Sequence, residues 1–591
     1  MIVAPGGGLI HGRMSRLDGT MHLLGLPHHD GSPIYLDDEA PQLGSLVGVR
    51  VLTPDEPEAV WVRTVEDGEP FFAPLNSSDG QWWHGEVHVR NPVTRYRFLI
   101  KYAGTVRWLN AAGVHDRDVP DAFDFRVSIH PPAPDWARES VIYQIFPDRF
   151  ARSGRADEHP TPEWAKPAEW SDDPIHVGPD TPLQFYGGDL DGIVEHLDHI
   201  VATGADTIYL TPVFPAESNH RYNASTFDSV DPLLGGDAAY RRLIDAAHER
   251  GLKVLGDFTS NHTGDTHEWF MAADDGGPER DFYYFEPDGS FEGWKGYATL
   301  PKLNHANPEV GVRIHEVVQR WLVFGLDGWR IDVANMTGRH LAQDDAHRVA
   351  REIRAAATQI HHDVSVVGEH GHDATGDLDG DGWHGTMNYY GFSFPVWSFL
   401  RDPDHEVPSF GLPVGLARRT GVQAMTTMRE FTASFGWRAV QQSWNILGSH
   451  DSPRIRTTTG SAAMHRAAIG LQFTLPGVPM VFAGDELGLE GTDGEDSRKT
   501  MPWESMPQDS LIDEYAEWAR LRRELPALTR GGLRWVHLGE DLVVFLREHP
   551  EGDVLVACSR GGTPELLLPD PLPDVPACED PLTRLWEVRR H

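Results

Sequence analysis

Four acidic residues carry the chemistry this sequence can do. Asp257 lies in LKVLGDF (252–258) and Asp332 in GWRIDVA (328–334). Glu369 closes VSVVGE (364–369), and Asp451 closes SWNILGSHD (443–451). Each segment reads as a short apolar strand with its acid at or near the C-terminal end. Carboxyls gathered in one place push their pKa values apart, which divides them into acids and bases. Two carboxyls flanking a bond are the equipment of glycoside hydrolysis, one ionised as nucleophile and one protonated as donor. Arg330 stands two residues before Asp332, on the same side of the strand. A guanidinium there keeps a carboxylate ionised, which predicts Asp332 as the nucleophile. Glu369 has no basic residue at the matching position, which predicts it as the proton donor.

The stretch GEHGHDATGDLDGDGWHG (368–385) admits a second chemistry. Asp377, Asp379, Asp381 and Gly382 match the first half of an EF-hand calcium loop. The twelfth position is Asn388, which cannot supply a bidentate carboxylate. His370 and His372 lack further ligands at zinc spacing. The expectation is therefore one functional residue, Glu369, followed by aspartates on a loop surface. A looser calcium site stays open, and the metal assignment is unknown.

These acids need a scaffold that brings strand ends together. Eight apolar strands alternate with helical segments: 140–146, 207–214, 252–258, 328–334, 364–369, 386–389, 443–451 and 479–486. Helical patterns cover 238–251, 310–325 and 347–360. This is the rhythm of an α/β TIM barrel, (β/α)8, whose sites lie at the C-terminal strand ends. The gap 259–307 exceeds one loop and predicts a small inserted subdomain after the third strand. Residues 1–131 show short alternating runs between turn residues, which reads as a β-sandwich. Strand patterns return near 527. The expected domains are an N-terminal sandwich (1–131), a barrel (132–526) and a C-terminal β-domain (527–591).

The chain has 591 residues and a formal net charge of −38, which opposes binding to nucleic acid or anionic membrane. Its two cysteines allow one bridge at most. The opening MIVAPGGGLIHGRMSRLDG lacks a charged segment followed by an apolar one, and no apolar run reaches spanning length. The expectation is a cytoplasmic protein. Its 19 tryptophans are read mainly as core.

With these residues in place, the sequence resembles the alpha-amylase superfamily of glycoside hydrolases. DFTSNH (257–262), GWRIDVAN (328–335), GEH (368–370) and NILGSHD (445–451) are similar to its four ordered signatures, and LPKLN (300–304) to an extra one. The N-terminal sandwich, YQIFPDRF (143–150) and LPKLN narrow the resemblance to the cyclomaltodextrinase, neopullulanase and maltogenic amylase group. It implies Asp332 as nucleophile, Glu369 as acid/base and Asp451 as transition-state stabiliser. It implies Tyr222 beneath the sugar at subsite −1, His450 and His262 contacting that sugar, and Asn261 in the wall. Asp257 would hold the hydrogen-bond network, and Arg330 would support the nucleophile.

The sequence also departs from the group. Gly371 stands where a tryptophan usually follows the acid/base, Asn335–Met336 replaces a pair commonly polar or charged, and Asn223 replaces a common aspartate. A missing indole widens the acceptor side and removes a stacking platform, which reads as tuning to a substrate other than standard cyclodextrin; the resemblance to the group implies small cyclic substrates. These are cyclic maltosyl-maltose, with alternating α-1,4 and α-1,6 links, or cyclodextrins. Neopullulanase or maltogenic amylase action on linear glucans, and transglycosylation, remain alternatives. A non-catalytic glucan-binding protein would lack a catalytic carboxyl, and all three are present. A metallohydrolase on the same barrel is a further rival, excluded by activity that survives EDTA.

No cofactor is expected to be required. The family's calcium site falls on ARSGRADEHP (151–160), where Arg152 and Arg155 oppose a cation; Asp189 remains a candidate ligand. The resemblance implies an oligosaccharide substrate and a homodimer through the N-terminal domain, with an inert appended sandwich as the alternative.

Overall fold

The computed structural model describes residues 20–404, 406–408 and 412–588; the opening stretch quoted above lies outside them. Eight parallel strands close a barrel in chain order. They are β1 (Ile142–Ile145), β2 (Thr207–Leu210), β3 (Lys253–Phe258), β4 (Gly328–Ile331), β5 (Ser365–His370), β6 (Gly385–Asn388), β7 (Trp444–Ile446) and β8 (Val478–Phe482). All eight lie within the expected segments or overrun them by one residue. Nearly every strand residue is buried, because side chains meet the barrel core on one face and the outer helices on the other.

The helices α1 (Gly236–Glu249), α2 (Pro308–Phe324), α3 (Ala346–Ile360) and α4 (Gly421–Ala433) belong to the outer ring. The sequence of α2 explains its limits. The Asn307 side chain accepts the Glu309 N–H at 3.0 Å, and Pro308 takes the first helical position. Gly325 ends the helix with φ 127°. Val310, Ile314, Val317 and Trp321 recur three or four residues apart and are buried. Each such burial is worth about 1.5–3 kcal/mol. Trp321, Trp329 and Trp444 are fully buried, as expected of core tryptophans.

Between β3 and α2, residues 259–307 form the protruding subdomain. It carries one short α-helix, Glu268–Asp274, two 3-10 turns, Pro278–Phe282 and Trp294–Gly296, and a cluster of Phe270, Tyr283, Phe285 and Phe291 rings. The N-terminal sandwich packs a six-stranded sheet on a three-stranded one. Its separate core holds Val47, Val49, Val51, Val62 and Phe98, the inward positions of the alternating runs.

One expected domain span needs correction. The strand Met21–His22 does not belong to the sandwich. It pairs antiparallel with Leu538 and His537, at the edge of the sheet built from Gly532–Leu538, Leu542–Glu548, Asp553–Ser559 and Leu582–Val588. A two-residue strand is too short for alternation to reveal its partner. No helix among the described residues is long and apolar enough to cross a membrane.

Candidate active site

Three of the four acids meet around Arg330 at the barrel mouth, and Asp451 joins the site beside His450. The Arg330 side chain is fully buried. Its Nη1 lies 2.8 and 3.0 Å from the two carboxyl oxygens of Asp257 and 2.8 Å from Asp332 Oδ1. Its Nη2 lies 2.9 Å from Glu369 Oε2, and its Nε faces the Met387 sulfur at 3.4 Å. This corrects the expectation that Arg330 serves Asp332 alone and leaves Glu369 without a basic neighbour. Spacing along one strand does not reveal what a long side chain reaches across the sheet. Strands β4 and β5 are adjacent, with Arg330 opposite Val367, so the guanidinium fork extends to Glu369 two positions on.

One cation therefore faces three carboxyls. Burial raises the Asp332 carboxyl well above the ordinary range; Arg330 opposes this, and the charges of Glu369 and Asp257 add to it. Burial also raises Asp257, against Arg330 and the tyrosine hydroxyls. Carboxyls this close around one cation titrate as a coupled group rather than one by one.

Backbone geometry places the two central acids. Gly368 precedes Glu369, and a Cβ there would meet the Trp383 ring at 2.9 Å and Ala334 Cβ at 3.0 Å. Glycine thus lets β5 pack closely. Val333, directly after Asp332, adopts φ 46°, a conformation strained for a β-branched residue. Its N–H donates to Glu369 Oε2 at 2.8 Å.

The second half of the site is a chain of hydrogen bonds. Tyr209 and Tyr222 hydroxyls both donate to Asp257 Oδ2, at 2.6 and 2.9 Å. The Tyr222 hydroxyl lies 2.8 Å from His450 Nε2, and the two rings are parallel within 10°. His450 Nδ1 meets Gln144 Nε2 at 2.7 Å. Burial first, then Arg498 and Arg330, keep the His450 ring neutral, well below the usual histidine pKa. Asp451 Oδ2 is 3.2 Å from His450 Nε2. Arg498 spans both residues, bonding His450 O at 2.8 Å and Asp451 Oδ1 at 3.2 Å.

Asn261 and His262 form the adjoining wall. Asn261 Nδ2 donates to His262 Nδ1 at 3.2 Å, and Lys302 Nζ donates to Asn261 Oδ1 at 3.1 Å. Burial pushes His262 down to about 3. Among the described residues its Nε2 has no hydrogen-bond partner, and it lies 3.9 Å from Asp332 Oδ2. All nine predicted site residues are thus brought together. Gln144, Tyr209, Lys302, Val333 and Arg498 were not among them. Gln144 had a signal: a polar residue inside the apolar strand SVIYQIF, fully buried here.

The aspartates after Glu369 depart from the expected loop surface. Arg339 donates to both oxygens of Asp377, at 2.7 and 2.9 Å, and His370 Nε2 lies 3.2 Å from Oδ2. Burial raises this carboxyl, but His370 and Arg339 outweigh it and hold Asp377 well below the usual range. Asp377 thus anchors the loop that follows the acid/base candidate on β5. His372 instead takes a hydrogen bond from Asn335 at 3.1 Å. Among the described residues, no group of three or more His, Cys, Asp or Glu is disposed to hold a metal ion. Near β1, Asp189 caps a helix: it accepts from Ser153 N–H, Ser153 Oγ and Gly192 N–H. Arg152 and Arg155 stand beside that segment, paired with Asp157 and Asp191. These residues do not fit a calcium ion.

The alpha-amylase catalytic-domain family matches residues 144–517. Neopullulanase 2 of Thermoactinomyces vulgaris is 34% identical over 451 residues, 74% of this chain and 72% of that protein. A cyclomaltodextrinase of a Bacillus species is 30% identical over 540 residues, 85% of this chain and 88% of that one. The ligand-free structure of cyclic alpha-maltosyl-(1→6)-maltose hydrolase from Arthrobacter globiformis is similar with a TM-score of 0.67 at 30% identity. It covers 77% of this chain and 100% of that chain. With the family matched along the whole barrel and four acids converging at its mouth, this chain belongs to the alpha-amylase family of glycoside hydrolases.

Proposed function

We propose that the protein is a retaining hydrolase of α-1,4-glucosidic bonds in small cyclic maltooligosaccharides. The observation that carries this is the pairing of Asp332 and Glu369 on the two Nη nitrogens of one guanidinium. A shared cation supports the close carboxyl spacing of retention, about 5–5.5 Å, over the wider spacing of inversion. Asp332 Oδ2, the oxygen not held by Arg330, attacks the anomeric carbon. The departing sugar oxygen takes its proton from Glu369. Water then attacks the glycosyl–Asp332 ester and gives a proton to Glu369. Substrate binding assigns the donated proton to Glu369, because the leaving oxygen docks against it and the anomeric carbon against Asp332. Asp451 accepts sugar hydroxyls as the ring flattens, and Tyr222 forms the floor under the −1 sugar.

The likeness to cyclic alpha-maltosyl-(1→6)-maltose hydrolase and the absence of an indole at Gly371 both favour a small ring over a long chain. Rates and products on cyclic maltosyl-maltose, cyclodextrins, pullulan, starch and linear maltosaccharides test this. A preference for starch overturns the cyclic reading. Glu369→Gln should abolish turnover with the fold intact; a wild-type rate would refute the acid/base assignment.

The two cysteines are free thiols, in keeping with a reducing cytoplasm. The exposed Phe71, Phe72 and Val106 of the sandwich support a homodimer through that domain. Sedimentation of the full chain tests the dimer: a monomer at micromolar concentration removes it.

A further inference from the structure

A cavity of about 130 Å³ lies where the N-terminal segment, the sandwich, α4 and the C-terminal sheet meet the barrel. None of the nine site residues lines it. Its walls carry three guanidiniums, of Arg126, Arg429 and Arg534, against one carboxyl, Asp30. That excess of positive charge stands out in a chain of net charge −38.

The cations are poorly matched by protein acceptors. Among the described residues, Arg126 bonds the carbonyls of Ala433 and Ala122, and Arg429 that of Ala112. Among the described residues neither has a carboxylate within ion-pair distance. Arg534 bonds the Leu24 carbonyl, with Glu548 at 3.9 Å. Asp30 is engaged elsewhere, accepting the N–H groups of Ser32 and Leu533. Among the described residues, four buried nitrogens on these walls have no protein acceptor: Nε of Arg126, Nε of Arg534, Nδ2 of Asn110 and Nε1 of Trp437. Asn110 is 1% exposed and Arg534 8%. Buried donors are rarely left without a partner, and each one costs stability.

We infer that this junction is a binding site for a small phosphate-class oxyanion, either inorganic phosphate or a phosphomonoester of a small sugar. The site supplies donors and positive charge, so its ligand must supply acceptors and negative charge. A carboxylate offers two oxygens in one plane, too few for four separated donors and three guanidiniums. A phosphate presents three or four oxygens in different directions, and guanidinium forks grip it bidentately. The volume suits such a group: a cavity of about 150 Å³ admits a benzene-sized molecule. Phe392, Trp437 and Trp535 give the remaining wall an apolar surface on which a small organic moiety can rest. Bound there, the anion joins four parts of the chain that otherwise meet across a gap.

Isothermal titration and thermal melting of the full-length protein test the site. The probes are inorganic phosphate, glucose 1-phosphate and, as control, chloride at matched ionic strength. The expected result is saturable binding of one phosphate-class anion per chain, with a raised melting temperature. At a hundred times Kd, the unfolding constant should fall about a hundredfold. Arg429→Met and Trp437→Phe should weaken binding at least about tenfold, as loss of a charge-assisted bond does. Both should keep the wild-type circular dichroism and hydrolysis rate. Binding of both phosphate probes assigns inorganic phosphate as sufficient; binding of glucose 1-phosphate alone assigns the phosphomonoester. An equal effect of chloride, no saturable heat with any probe, or binding unchanged in Trp437→Phe would overturn the site and leave a water-filled junction.

Discussion

Gln144 Nε2 donates to His450 Nδ1 at 2.7 Å, and this contact decides which nitrogen of the imidazole carries the proton. The rest of the chain of bonds agrees. Asp257 Oδ2 accepts from Tyr209 and Tyr222, so the Tyr222 hydroxyl has only lone pairs left for His450. His450 must then donate through Nε2, which leaves Nδ1 as an acceptor. A buried glutamine on β1 thereby orients a histidine in the turn after β7.

Gln144→Leu removes that donor and leaves a buried acceptor unpaired, at a cost of about 1–3 kcal/mol. The expected result is a fall in kcat/KM of roughly tenfold to a hundredfold, with the melting temperature lowered by only a few degrees. Steady-state kinetics on the preferred oligosaccharide measure this; unchanged kinetics would mean the His450 tautomer does not matter.

Arg330→Met leaves Asp257, Asp332 and Glu369 without their common cation. Breaking a buried ion pair from one side costs about 3–5 kcal/mol, so denaturant unfolding should show a loss of that order. Activity should vanish as well. Adding Asp257→Asn removes one stranded charge, and should restore part of the stability but none of the activity.

Gly494 packs against the backbone of Asp451. A Cβ there would sit 2.7 Å from the Asp451 carbonyl carbon and 2.8 Å from its Cα. Gly494→Ala must therefore shift the carboxylate held by Arg498. A displacement near 1 Å costs up to about a hundredfold in rate. The loss should fall on kcat more than KM, because Asp451 is assigned to the transition state.

His29 gives a pH prediction away from the site. Burial pushes its pKa down to about 3, although the Arg50 carbonyl pulls the other way. Its ring bonds the Arg50 carbonyl and the Tyr96 hydroxyl, at 2.7 and 2.8 Å. Between pH 3 and 6.5 the unfolded chain binds a proton there that the folded chain does not, so folding stability falls as pH falls through that window. The slope for one such group is about 1.4 kcal/mol per pH unit. His29→Gln keeps a donor and an acceptor but does not titrate. Its stability relative to wild type should therefore rise as pH drops from 6.5 to 4, and parallel curves would contradict the assignment.

Much of this site was legible in the sequence because barrel strands put function at one end of each element. An apolar run closed by Asp or Glu marks both the strand and its rim. What stayed hidden runs across strands. Arg330 reads as a partner of Asp332 from the i, i+2 spacing, yet its reach to Glu369 depends on the neighbouring strand. Val333 reads as an ordinary strand valine, and only the backbone reveals that its amide holds Glu369. Asp377 reads as one of several loop charges until Arg339, from another loop, closes on it. The departure at Gly371 was visible as a letter, and so was Gln144, a polar residue in an apolar strand. Met21–His22 was not, since two residues carry no period.

That short strand has a consequence for how the chain acquires its shape. Met21 and His22 leave the ribosome first among the described elements, but their partners, His537 and Leu538, follow long after the whole barrel. The pairing cannot form while the chain is being made in order. It is a sequence-distant contact, of the kind that slows folding. Until it forms, the edge of Gly532–Leu538 offers unpaired backbone groups to any other extended segment, and the arriving N-terminal strand is what retires that edge.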